Sequence, residues 1–272
     1  PLEVNVDTIY EERFRLGSGE KFIPRDAQKR ITEAIHRTEN PGIVIFEAPM
    51  GMGKTEAALV AVEQLAKKTG RTGMFFGLPT QATSNGIFSR VNAWLENLRD
   101  DMSYKRALRL LHGKAALNEE FANLPKSRNI HDDENEKNVV TVNDWFSGRK
   151  LSILDDFTVG TVDQFLLLAL KQKHLMLRHL GFANKVVVID EVHAYDAYMS
   201  VYLYQAIKWM GAYGVPVVIL SATLPIERRN KLIESYMEGK DIYLEDGEAE
   251  LPSNYNENEN YPLLTLNDGI KI

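Results

Sequence analysis

Ala48-Pro49-Met50-Gly51-Met52-Gly53-Lys54-Thr55 stands between an apolar run, Ile43-Val44-Ile45-Phe46, and a stretch from Lys54 to Lys68 that reads as a helix. The apolar run has the character of a strand buried on both faces of a parallel sheet. The order is therefore strand, glycine-bearing loop, helix, and the loop follows the pattern G-x-x-x-x-G-K-[ST] with alanine at the first glycine. Gly51 and Gly53 allow backbone N–H groups to converge on phosphate oxygens with no side chain in the way. The helix N-terminus adds free donors and partial positive charge. Lys54 is the group expected to reach the β- and γ-phosphates, and the Thr55 hydroxyl the one expected on Mg²⁺.

Working outward, Asp190-Glu191-Val192-His193 follows a second apolar run, Val186-Val187-Val188-Ile189. Carboxylates at the end of a central strand are costly unless solvated or used. Beside a phosphate loop, Asp190 is expected to hold the Mg²⁺ shell and Glu191 to orient and polarise the attacking water. His193 is expected to couple nucleotide state to the neighbouring motif or to a second lobe. These four, Lys54, Asp190, Glu191 and His193, form the candidate catalytic set. Gln28, Gly51, Met52, Gly53, Lys54 and Thr55 form the nucleotide set, and Thr55 and Asp190 the metal pair. Gln28 is read as an adenine-edge contact, because one amide carries both a donor and an acceptor. Tyr10, Phe14 and Phe22 are candidates to stack on the base, with no choice among them.

Ser221-Ala222-Thr223 follows the strand expected over Val215–Leu220. Ser221 and Thr223 are expected to hydrogen-bond across to the Asp190–His193 segment, although Thr223-Leu224-Pro225 is equally a helix cap. Pro79-Thr80-Gln81 and Gly160-Thr161-Val162-Asp163 occupy similar places, each after a strand and opening a helix. Thr80, Gln81, Asn85, Thr161 and Asp163 are the candidate nucleic-acid contacts. They would bind phosphodiesters and read no sequence. His112 is added to them from a local basic group with Lys105, Arg106, Arg109 and Lys114, whose other reading is a solvated face.

The alternation of strands with helices predicts a three-layer α/β fold with a mostly parallel sheet between helices, and the loop at 48–55 makes it a P-loop domain. Helices are expected at about 26–37, capped by Asp26, and at 54–68, 82–98, 162–173, 197–209 and 225–237. Residues 1–240 are expected to form one nucleotide-binding domain. Within it, 1–24 is an irregular lead-in and 118–157 an irregular insertion with an acidic loop at 129–144. Residues 241–272 read as an acidic extension toward a second lobe, with a final strand near Tyr261–Leu266.

Of 272 residues, 44% are apolar, enough for a sizeable core, and none is cysteine, which excludes disulfides, cysteine-ligated metals and thiol catalysis. The formal charge is −6, so nucleic acid would have to be held by local surface against the mean field. Residues 241–261 alone hold seven acidic side chains and no lysine or arginine. No apolar run approaches the roughly 20 residues that span a membrane. No signal-peptide pattern opens the chain, and a cytoplasmic location is expected. The proline at position 1 suggests an excised or processed chain.

Taken together, APMGMGKT (48–55), PTQATSNGIF (79–88), GTVDQ (160–164), KVVVIDEVHAYDAY (185–198) and SATLP (221–225) resemble the superfamily 2 helicases. Within them the chain is similar to the first RecA-like domain of the Cas3 helicase–nuclease family of type I CRISPR systems. The long form IDEVHAYDAYM is far more specific than its first four letters. The resemblance covers about residues 20–240, with Tyr261-Pro262-Leu263 also matching. It implies ATP and Mg²⁺, movement along single-stranded DNA, and target DNA presented by an RNA-guided surveillance complex. It also implies two partners not found in this chain, a second RecA-like lobe and an HD nuclease domain. Among the six histidines only His131 precedes an aspartate, so no nuclease activity is expected here. An isolated lobe is expected to hydrolyse ATP poorly. Two other readings remain: an RNA helicase or remodelling ATPase, and a non-catalytic interaction module that keeps a nucleotide-binding fold.

Overall fold

The computed structural model describes residues 5–14, 20–98, 106–111, 126–127, 140–143, 152–170, 175–255, 257–258 and 260–272, with the backbone alone at 81–85, 106–111, 126–127, 140–143 and 152. Among the described residues, nine strands form one sheet in the order β4-β5-β3-β6-β2-β7-β8-β1-β9. They are β1 (Pro41–Glu47), β2 (Gly73–Leu78), β3 (Arg106–Leu111), β4 (Lys126–Ser127), β5 (Val140–Asn143), β6 (Phe157–Thr161), β7 (Lys185–Ile189), β8 (Val217–Ser221) and β9 (Leu263–Asp268). Every pairing is parallel except that of β9 with β1.

Alternation of side chains along each strand builds the three layers. Val44 and Phe46 of β1, Met74 and Phe76 of β2, Val186 and Val188 of β7, and Val218 and Leu220 of β8 face one core. That core is closed by α2 (Asp26–Arg37), α3 (Lys54–Thr69) and α4 (Gln81–Asn97). Ile43, Ile45, Phe75, Val187, Ile189, Val217 and Ile219 face the other. There the cover is α5 (Asp163–Leu166), α6 (Leu175–Ala183), α7 (Ala197–Ala212) and α8 (Ile226–Gly239). A strand with helices on both faces has no polar side to present, so these runs are apolar at every position rather than alternately.

The register aligns the strand ends. Glu47 of β1 pairs with Ser221 of β8, Ile189 of β7 with Gly77 of β2, and Leu78 of β2 with Thr161 of β6. In-register parallel strands finish at one edge of the sheet, so the segments after β1, β2, β6, β7 and β8 emerge side by side. All five segments singled out in the sequence begin there, the place where open α/β sheets bind ligands.

Several expectations are corrected. The lead-in is not wholly irregular: α1 (Val6–Arg13) packs there through buried Val6 and Tyr10. Asp26 is not the cap of α2; Arg25 is, and the Gln28 Oε1 accepts from its backbone N–H at 2.9 Å. The single helix expected over 162–173 is α5 followed by a 3₁₀ turn at Leu167–Ala169, and α6 is an additional helix. Within the expected acidic loop, Val140–Asn143 forms β5, parallel to β3. Residues 129–139 and 144 of that loop, and Trp145-Phe146, expected just beyond it to pin the loop to the domain, lie outside the described residues.

The final strand expected near Tyr261–Leu266 is present as β9 (Leu263–Asp268), which joins the end of the expected extension to the edge of the sheet. β9 pairs with β1 over Glu47↔Leu263 to Val44↔Leu266. The buried Asn267 accepts from the Ile43 N–H at 2.6 Å, and the Asp268 carboxylate takes the N–H groups of Glu39 and Asn40. The C-terminal strand is thus tied to the strand that leads into the 48–55 loop. Among the described residues, no helix is long and apolar enough to cross a membrane.

Candidate functional site

The loop after β1 turns through two glycines in left-handed conformation, Gly51 at φ 77° and Gly53 at φ 74°. Gly53 is also the residue before α3. The left-handed backbone there calls for glycine, and a Cβ would displace the Gln28 side-chain amide from its place on the loop. Side chains engage three loop carbonyls. The Lys54 Nζ donates to Ala48 O at 2.9 Å, the Gln28 Nε2 to Gly53 O at 2.9 Å, and the exposed Arg25 guanidinium to Gly51 O. Lys54 and Thr55 are buried at the start of α3, whereas Gly51 is exposed and Met52 half-buried.

Gln28 is therefore buried, with its acceptor on Arg25 and its donor on the loop. Here it braces α2 against the phosphate loop. Of the three stacking candidates, Tyr10 is withdrawn: its ring is fully buried, packs on Phe14 and Phe22, and directs its hydroxyl to Thr32 and the Gln28 carbonyl. Phe14 and Phe22 are half-buried in the same cluster.

Across the sheet edge, Asp190 is buried, and burial pushes its carboxyl up to about 6, reinforced by the neighbouring Glu191 and opposed by the Glu191 N–H and by Lys54. The influence of Lys54 places the two motifs within electrostatic reach. Glu191 holds φ 56°, ψ 39°, a left-handed conformation that a non-glycine residue adopts at a cost of about 1–3 kcal/mol. Local hydrogen bonds maintain it. The Glu191 N–H donates to Asp190 Oδ1 at 2.8 Å, the Ala194 N–H to Glu191 O at 2.9 Å, and the Tyr195 hydroxyl to Asp190 O at 2.9 Å. Tyr195 is buried, and desolvation followed by the Asp190 charge raises its pKa, so it remains a donor.

His193 joins this turn to the segment after β8. Its Nε2 lies 2.9 Å from Glu191 Oε2, and its Nδ1 accepts from the Ala222 N–H at 3.2 Å. A backbone N–H can only donate, so Nδ1 is the unprotonated nitrogen and the Nε2–H faces the carboxylate. The Ser221 Oγ stands 3.2 Å from Nδ1 and donates to Thr223 O at 3.0 Å. Ser221 thus sits at the junction, while the exposed Thr223 offers its carbonyl to it. The Ala48 N–H donates to Ser221 O at 3.1 Å, which ties the phosphate loop to the same segment.

Thr80 and Asp163 are exposed beside this edge, and Thr161 is buried at the end of β6. Gln81 and Asn85 lie in the first turns of α4, where the backbone alone is described. The basic group is divided: Arg106 and Arg109 are on β3, and Lys105, His112 and Lys114 lie outside the described residues.

Sequence reasoning missed Arg25 as a loop contact, Tyr195 as a brace of the Asp190 turn, and the ion pair of Glu47 with Arg229. The pair joins the last residue of β1 to α8 at 2.7 Å, with both side chains 5% exposed. An acid one residue before a phosphate loop, at the end of an otherwise apolar strand, was the available signal.

A family model described as DEAD/DEAH box helicase matches residues 25–232. The chain belongs to the DEAD/DEAH box helicase family. It is also 58% identical over 269 residues to the "CRISPR-associated nuclease/helicase Cas3" of Streptococcus thermophilus, a match that covers 99% of this chain and 28% of that protein. The crystal structure of T. fusca Cas3-AMPPNP is 37% identical with a TM-score of 0.71, covering 85% of this chain and 24% of that one. A "CRISPR RNA-guided surveillance complex, pre-nicking" contains a chain 35% identical with a TM-score of 0.54, covering 78% of this chain and 20% of that one. This DEAD/DEAH box helicase chain thus spans little more than a quarter of the length of the Cas3 relative. Its RecA-like α/β fold is that of the family's nucleotide-binding domain.

Proposed function

We propose that the chain is the ATP-binding lobe of a Cas3-type, ATP-dependent single-stranded DNA translocase acting in CRISPR interference. One observation carries the reading. The loop at 48–55 and the carboxylates at 190–191 emerge from the same sheet edge, and His193 links them to the segment at 221–223. A site built only for binding has no need of a carboxylate held in a strained turn and joined to a neighbouring motif. The T. fusca Cas3-AMPPNP structure supports a nucleoside triphosphate as the ligand.

The residues divide the work. The backbone amides of Gly51, Met52 and Gly53 cradle phosphate oxygens, and Lys54 leaves the Ala48 carbonyl to meet the β- and γ-phosphates. Gln28 exchanges a backbone partner for the adenine edge. Glu191 orients a water and accepts its proton, while His193 holds the carboxylate and Ser221 and Thr223 carry the change onward. Thr80, Gln81, Asn85, Thr161 and Asp163, in the segments that leave this sheet edge, are assigned to the nucleic-acid strand, together with His112 from outside the described residues.

The residues present fit Mg²⁺. Among the described residues no cluster of three His, Cys, Asp or Glu side chains forms a protein-built cage, and Mg²⁺ beside phosphates takes only one or two protein oxygens. Thr55 and Asp190 supply a hydroxyl and a buried carboxylate whose charged form is unfavourable without a cation. Bound there, the ion would neutralise charge on the phosphates.

The partners implied are single-stranded DNA, a second RecA-like lobe, an HD nuclease domain and an RNA-guided surveillance complex. The match to a chain of such a complex supports the last.

A pH series tests the site. Asp190 must lose its proton to take the cation, and burial keeps that proton up to about 6. The gain in affinity for a fluorescent ATP analogue on adding Mg²⁺ is therefore expected to be small at pH 5 and full at pH 7.5. Lys54→Ala should weaken binding at both. An equal Mg²⁺ effect across the range, or binding indifferent to Lys54, would favour the interaction-module reading.

A further inference from the structure

Tyr261 lies two residues before β9, at the end of the polar segment that follows α8. Its hydroxyl donates to the Ala222 carbonyl at 2.6 Å, although the residue is 47% exposed. Ala222 is also the residue whose N–H donates to His193 Nδ1, and His193 Nε2–H faces Glu191 Oε2 at 2.9 Å. The Ser221 hydroxyl turns its proton to Thr223 O. Ala222 is therefore held from two sides, by a phenol on its C=O and an imidazole on its N–H.

The consequence is positional. The Ala222 N–H and C=O belong to successive peptide groups of one short segment, between the end of β8 and α8. A displacement of the carbonyl turns the residue and lengthens the bond to His193. His193 has one remaining ring proton, committed to Glu191, so a shift of the ring is felt at that carboxylate. Three hydrogen bonds thus connect a half-exposed side chain in the C-terminal segment to the left-handed residue beside Asp190.

Packing does not account for Tyr261. β9 is already fixed by its ladder with β1, by Asn267 on the Ile43 N–H, and by Asp268 on Glu39 and Asn40. The Tyr261 hydroxyl adds one contact, and that contact falls on the segment carrying Ser221.

We propose that Tyr261 is a positioning residue. It sets Ala222, through Ala222 the His193 ring, and through the ring the Glu191 carboxylate, so that the C-terminal segment controls hydrolysis. The inference rests on the reading of Glu191 as the water-orienting group.

The test is ATP turnover of the full-length gene product with single-stranded DNA, for the parent, Tyr261→Phe, His193→Ala and the double variant, with Glu191→Gln as control. Phenylalanine keeps the ring and removes only the hydroxyl. Loss of one hydrogen bond from the working geometry should lower kcat about three- to tenfold, with KM for ATP unchanged. In the His193→Ala background, where the path is already cut, Tyr261→Phe should cost nothing further. An equal fold-loss in both backgrounds, a change confined to KM, or no loss at all would overturn the role of Tyr261. Full turnover in Glu191→Gln would instead overturn the reading of Glu191, and the relay with it.

Discussion

Glu191→Gln is expected to lower kcat for ATP by about 10²–10⁴-fold, the usual contribution of a positioned acid–base group, while nucleotide affinity stays near that of the parent. The amide is close to isosteric with the carboxylate and has an oxygen that can still accept from the His193 Nε2–H, so the 2.9 Å contact persists. What it lacks is negative charge and a lone pair able to take a proton from water. The backbone at Glu191 is held by Asp190, Ala194 and Tyr195 rather than by its own side chain, so the turn survives the substitution. Single-turnover hydrolysis beside equilibrium binding of an ATP analogue separates the two effects. Loss of binding together with turnover would mean that Glu191 supports the loop; unchanged turnover would remove it from the chemistry.

The second large effect concerns stability. Arg229→Met leaves Glu47 buried without its cation, and breaking a buried pair in this way typically costs about 3–5 kcal/mol. That is a large share of the roughly 5–15 kcal/mol that holds a domain together. In the parent, burial raises the Glu47 pKa while Arg229 opposes the rise by charge and hydrogen bond. Without Arg229 the burial effect stands almost alone, and the folded-state pKa moves further above its unfolded value of about 4.3. Between those two values the folded variant holds a proton that the unfolded chain has lost. Its stability is therefore greatest at low pH and falls as pH rises through the folded pKa. The penalty relative to the parent should be smaller at pH 5 than at pH 8 in urea unfolding. Glu47→Gln combined with Arg229→Met should recover much of the loss. A penalty independent of pH would show that Arg229 acts through its packing or its bond to Asn258 O instead.

The local damage would fall beside the phosphate loop, because Glu47 precedes Ala48 and pairs with Ser221. This contact also shows the limit of reading by motif. β1, β7 and β8 are legible because a strand covered on both faces must be apolar throughout, and the loop after β1 carries its own chemistry in Gly51, Gly53, Lys54 and Thr55. That a glutamate from β1 finds an arginine from α8, 182 residues away, is a property of the sheet order and is written in neither segment.

Elements held by tertiary contacts were the least visible. Helix α1 buries only Val6 and Tyr10 and has no continuous apolar face; it is held by Tyr10 stacking on Phe22 and by Arg13 forking onto Glu63 of α3. A base-stacking tyrosine and a buried one look alike in sequence, so sequence alone gives no choice among Tyr10, Phe14 and Phe22. The run Phe165-Leu166-Leu167-Leu168-Ala169-Leu170 carries no stop signal. The chain nevertheless leaves α5 through a 3₁₀ turn and becomes extended at Leu170. In the polar segment 252–260, nothing local announces that Tyr261 will meet Ala222.

At the site, residue types were readable and their present partners were not. Lys54 rests on the Ala48 carbonyl, Gln28 on Gly53 and Arg25, and Glu191 on His193.

The most direct test of the account is steady-state ATP turnover of the full-length gene product with and without single-stranded DNA, beside Lys54→Ala. Turnover should rise with single-stranded DNA, should not rise with an RNA strand of the same sequence, and should be abolished by Lys54→Ala. An inability to bind ATP in a Lys54-dependent way, with no turnover on any strand, would contradict it.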